Sequence, residues 1–130
     1  MAERGLSGEV LSAFREKGFD TKLSPGYLRL VRGHCEVHVT QDSRGGSCFT
    51  MEIPVVRLGP DRHLSPVVAS YLDDRNKAGT GPGRFAVDGD VIWYRATAEG
   101  EAAPDALALL VLRMQETVER TGPKILNMLR

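Results

Sequence analysis

The sequence predicts an α+β fold, a two-layer domain of order α-βββ-α-ββ-α in which an antiparallel sheet is covered by helices. Three observations carry that expectation. The hydrophobic period changes from helical to alternating after the first segment, then returns to helical twice. Clusters of Gly, Pro, Asp and Ser separate the alternating runs. Asp88-Gly89 sits between two such runs, as expected of a two-residue hairpin. With 130 residues, one domain spanning 1–130 is expected, and it is long enough to bury a core.

Taken in order, LSGEVLSAFREKGF begins as a helix. Ser7 can cap it, Leu6 can staple onto Leu11, Leu6, Val10 and Phe14 share a face, and Gly18 supplies a left-handed stop. The next stretch alternates with period 2 and carries turn signals at Ser24-Pro25-Gly26, Arg32-Gly33 and Asp42 to Gly46. Three antiparallel strands are expected near 27–32, 35–41 and 47–56. Cys35, Val37 and Val39 face one way and Glu36, His38 and Thr40 the other, so one face of the sheet should be covered. A second helix starts at Ser65, with Pro66 at N1, and stops at Gly79; its stripe is Val68, Tyr71, Leu72 and Arg75 or Asn76. RFAVDGDVIWYRATA reads as two short strands joined at Asp88-Gly89. The third helix begins at Pro104-Asp105, places Leu107, Leu110, Val111, Met114 and Val118 at helical spacing, and is expected to end at Gly122-Pro123. KILNMLR beyond it is too apolar for a free tail and should dock on this chain or another.

Lys+Arg and Asp+Glu both number 17, so no net charge draws the chain to nucleic acid or to an anionic membrane. No stretch approaches the roughly 20 apolar residues of a membrane span. MAERGLSGEV has no basic region followed by an apolar run, and a cytoplasmic location is expected. Cys35 and Cys48 form no C-x-x-C pair and read as free thiols.

The chemistry-bearing candidates divide on topology. NKAGTGPGRF, residues 76–85, has the glycines of a phosphate loop, but such loops follow a strand and open a helix. Here the glycines follow a helix and enter a strand, Pro82 lacks an N–H, and Lys77 precedes them; a flexible connection is expected instead. HCEVH places His34 and His38 four apart, but on a strand they would stand about 13 Å from each other, beyond the reach of one ion. Cys35 and His34 would point to opposite faces, and His63 has no evident partner. Asp73 and Asp74 diverge by about 100 degrees on a helix and read as a solvated face. No catalytic residue, metal ligand or cofactor is therefore expected, and the chain reads as a non-enzyme. Arg29, Arg32, Arg44, Arg57, Arg84 and Arg95, with Tyr27, Trp93 and Tyr94 nearby, could stack and pair with nucleic acid; zero net charge disfavours direct binding.

The element order resembles that of type III secretion chaperones and the related YbjN family. Tyr71-Leu72 through Asn76, then Gly83-Arg84-Phe85-Ala86-Val87-Asp88-Gly89-Asp90-Val91 with Tyr94-Arg95, is similar to that family's L-N-x-x-N … G-R-F-x-x-D-x-D-G-x-V-x-x-R run. Asp73 stands where the run has its first Asn, and the glycine-rich connection is longer. The resemblance implies a single chaperone-like domain over 1–130: a non-enzymatic homodimer that holds an extended or disordered segment of a client protein. It places the dimer at Val68, Tyr71, Leu72 and Trp93, and client contacts at Val10, Phe14, Leu28 and Leu30. The alternative is a YbjN-like regulator acting on a nucleic-acid-associated complex, or on nucleic acid directly. For each apolar position the competing reading is burial in this domain's own core.

Overall fold

The computed structural model describes residues 8–42, 48–58, 64–79, 81–99 and 103–129. Leu6, Ser7, Arg44 and His63 lie outside the described residues. The chain order is α1 (Gly8–Glu16), β1 (Asp20–Ser24), β2 (Tyr27–Arg32), β3 (Cys35–Asp42), β4 (Cys48–Arg57), α2 (Pro66–Ala78), β5 (Arg84–Asp88), β6 (Val91–Glu99) and α3 (Pro104–Met128). Three helices and a six-stranded sheet of order β1-β2-β3-β4-β6-β5, antiparallel throughout, make a mixed α+β architecture.

Local chemistry accounts for the element ends. Gly18 takes φ 93°, and the N–H of Phe19 returns to the carbonyl of Phe14, closing α1. Phe19 is thereby buried edge-on against Phe14, with centroids 6.0 Å apart and planes at 83°. Ser65 accepts from the N–H of Val68 at 3.2 Å, Pro66 follows, and Gly79 ends α2 in the left-handed region, as the sequence leads one to expect.

The structure departs from the sequence expectations at four places. Asp20–Ser24 forms an additional strand, so the sheet has six strands where five were expected. DTKLS has no alternation of its own; Pro25-Gly26 turns it back onto β2, in register from Ser24↔Tyr27 to Asp20↔Val31. The β5–β6 loop is Gly89-Asp90 rather than Asp88-Gly89, because Asp88 stays paired with Val91 and Gly89 takes the positive φ of 63°. His34 lies in the turn between β2 and β3, not on a strand. The fourth departure is α3, which continues through Gly122-Pro123 to Met128. A proline inside a helix costs about 3 kcal/mol. Here it is offset by tertiary burial on either side: Thr121, Gly122 and Ile125 are all buried, and Met128 and Leu129 pack on the core. The apolar tail thus docks on this chain as the last turns of α3.

The core lies between the sheet and the helical layer. Leu28, Leu30, Val37, Val39, Met51 and Ile53 are fully buried from β2 to β4, facing Phe14 of α1 and Leu107, Val111 and Met114 of α3. At the β5–β6 end of the same face Val68 and Leu72 of α2 close over Phe85 and Tyr94. Asn76 fixes the outer edge: its Oδ1 accepts from the Phe85 N–H at 2.7 Å, and its Nδ2 donates to the Phe85 carbonyl at 3.0 Å. That amide acts as a one-residue strand against β5, consuming backbone groups which an edge would otherwise expose. Glycines 81 and 83, in the connection expected to be flexible, are close-packed. A Cβ at Gly83 would lie 2.6 Å from the Arg95 carbonyl oxygen, and one at Gly81 2.6 Å from the Tyr94 hydroxyl oxygen. The Gly83 N–H donates to that same hydroxyl at 2.7 Å.

Candidate functional site

Alternation sends every second strand residue to the face away from the helices. Among the described residues no helix lies against that face. The register draws one residue from each of six strands into a transverse row: Lys22↔Arg29, Arg29↔His38, His38↔Glu52, Glu52↔Arg95 and Arg95↔Arg84. Four of the six are cationic at neutral pH, and only Glu52 is acidic.

Two carboxylates organise the middle of this row. Glu36 accepts from Arg29 through both oxygens, Nη2 to Oε1 at 3.2 Å and Nε to Oε2 at 3.1 Å, and its Oε2 also lies 2.6 Å from His38 Nε2. The Arg29 hydrogen bond and then the His38 hydrogen bond hold the Glu36 carboxyl below its ordinary range. Arg95 Nε donates to Glu52 Oε2 next door. These pairs sit on a half-buried surface, and their main effect is to fix side-chain positions rather than to add much stability.

An aromatic diagonal crosses the same face. The His38 ring stands 4.6 Å from Tyr27 and 5.8 Å from Trp93, centroid to centroid, joining β2, β3 and β6. Trp93 is the only tryptophan, and it is half-buried with no helix over it among the described residues. Pro54 faces Trp93 from β4 at the irregular register between Pro54 and Val56. The bulge interrupts pairing there, and local twist increases at such sites.

The sequence-selected residues fall on different sides. Val10, Phe14, Leu28 and Leu30, the client positions, are buried in the chain's own core and offer no side-chain surface to a client. The reason is the sheet's pleat, which points Leu28 and Leu30 under α1 and α3. Of the dimer positions, Val68 and Leu72 are core residues, Tyr71 is half-buried beneath the Arg75 guanidinium at 5.6 Å, and Trp93 lies across the sheet on the open face. The four do not form one surface. Of the arginine and aromatic set, Arg29, Arg57, Arg84, Arg95, Tyr27 and Trp93 share the open face. Tyr94 faces the core, Arg57 pairs with Asp90, and Arg32 bonds Gln115 and the Lys17 carbonyl. Sequence reasoning missed His38 as the centre of the site, although its place two residues from Glu36 on one strand face was a readable signal.

Other chemistry is sparse. Burial pushes the Cys35 thiol up to about 11, with Glu119 adding to the effect, so it stays protonated at neutral pH. Cys48 is paired with Asp42 in register, seven residues along β3 from Cys35, a separation of about 23 Å that no disulfide spans. Asp73 pairs with Lys77 on the solvated side of α2. No group of three His, Cys, Asp or Glu able to hold a metal occurs among the described residues, nor does a helix long and apolar enough to cross a membrane. Neither a protein-family model nor a curated protein matches the chain.

Proposed function

We propose that the chain is a non-enzymatic, chaperone-like adaptor that holds a segment of a client protein on the open face of its sheet. The observation that carries this reading is the diagonal of Tyr27, His38 and Trp93, half-buried amid ion-paired side chains with no helix over it among the described residues. Large aromatic groups with fixed neighbours are the side chains that most often anchor protein interfaces. The face also carries Asp20, Glu36, Glu52 and Asp88 against Lys22, Arg29, Arg57, Arg84 and Arg95, a near balance of charge that suits a protein surface better than a polyanion.

The deciding experiment is affinity capture from the native cell lysate with the wild-type chain and with Trp93→Ala. A specific protein retained by the first and lost by the second supports the proposal. Equal capture by both removes the open face as the client surface, and salt-sensitive nucleic acid in its place favours the regulator reading. Pairing of two copies is a separate expectation from the resemblance to type III secretion chaperones, and light scattering decides it. A mass of twice 14.2 kDa is expected; a species of 14.2 kDa removes the dimer and leaves the client face untouched.

A further inference from the structure

The transverse row on the open face divides into interior and outer cations. Arg29 and Arg95 are committed to Glu36 and Glu52 within the chain. Lys22 on β1 and Arg84 on β5, at the two ends, are exposed and make no ion pair among the described residues. Asp20 and Asp88 lie on the same strands, two and four residues away, about 7 Å and 13 Å along them. Five strand spacings of about 4.8 Å set the end cations roughly 24 Å apart. Between them stand His38 and its two aromatic neighbours.

Resting on the adaptor reading above, we propose that the client segment is an extended peptide of about seven residues laid across the strands, acidic at both ends and apolar or aromatic in the middle. Its carboxylates meet Lys22 and Arg84, and its central side chain lies on Trp93 and Tyr27 beside His38. Charge complementarity selects the ends, since the interior arginines already have partners and the outer cations have none among the described residues. Approach across the strands also fits the edges. At β5 the backbone of Phe85 is occupied by Asn76, so a segment cannot pair with that edge at this residue. A long polyanion gains less from this arrangement than a peptide with two carboxylates, because Glu36 and Glu52 lie along its path.

The test uses two pools of seven-residue peptides, tryptophan-free and randomised at five central positions, one with Glu at both ends and one with Lys. Trp93, as the only tryptophan, reports binding directly through its fluorescence. The Glu-ended pool should bind five- to tenfold more tightly than the Lys-ended pool at low salt, with the gap narrowing as salt rises. The double variant Lys22→Glu/Arg84→Glu should reverse the preference while keeping the wild-type unfolding midpoint. Equal binding of both pools, or no binding of either, overturns the acidic-peptide inference. The open face as the client surface falls separately, by undiminished client capture with Trp93→Ala. A single-stranded oligothymidine that binds Trp93 more tightly than either pool overturns both.

Discussion

The two faces of the sheet use the same strands for opposite ends. On the covered face Leu28, Leu30, Val37, Val39, Met51 and Ile53 are apolar, shape-fitted and closed to solvent. On the open face their neighbours Arg29, His38, Glu36, Glu52, Trp93 and Arg95 are polar or aromatic, half-buried, and held by ion pairs and ring contacts. The chain relies on the covered face for folding, and the open face is the one it can present to others. Burial of apolar side chains stabilises by about 25 cal/mol per Å², whereas partly exposed ion pairs contribute little. The arrangement of the open face is therefore poorly explained by stability alone.

Substitutions on each face test this division of roles. The largest effect is expected on the covered face: Phe14→Ala should destabilise by about 3–5 kcal/mol in urea unfolding, since it empties a fully buried site shared with Phe19. Gly83→Ala should follow at about 1–3 kcal/mol, because the new methyl meets the Arg95 backbone, which has nowhere to yield. Asn76→Ala removes both bonds to Phe85 and should cost about 1–3 kcal/mol, with faster amide hydrogen exchange in β5 than in β2.

Trp93→Ala should cost only about 1 kcal/mol while abolishing client capture. A loss as large as that of Phe14→Ala would erase the distinction between the faces. The smallest effect concerns Glu36. Its folded pKa is lowered, so its contribution is present above the ordinary carboxylate value of 4.5 and is lost as pH falls through the lower folded value. In Glu36→Gln the acid limb of the stability curve should start to fall at lower pH than in wild type. An unchanged acid limb would mean that the Arg29–Glu36 pair is not formed in solution.

Much of the fold was legible from local chemistry. Ser65-Pro66 and Gly79 bound α2, alternation marks β3 and β4, and the third helical stripe begins at Leu107. Each is set by residues within one or two turns of one another. The candidate site was legible only in part: Trp93, Arg29, Arg84 and Arg95 stood out by residue type, but Val10, Phe14, Leu28 and Leu30 were assigned to a client and are core. A buried leucine and an interface leucine have the same local pattern, and only the location of the helices tells them apart.

Local sequence was enough for the α+β class, the alternation that gives the sheet two unlike faces, and the stops and turns encoded by glycine and proline. These depend on backbone sterics and hydrophobic period, which act over a few residues. Long-range packing was needed for Asp20–Ser24 to be a strand, for α3 to run through Pro123, and for Lys22, Arg29, His38, Glu52, Arg95 and Arg84 to stand in one row. The first two need a distant partner to offset a weak local preference. The row needs β6 to insert between β4 and β5, a long-range pairing with no local signature in the chain.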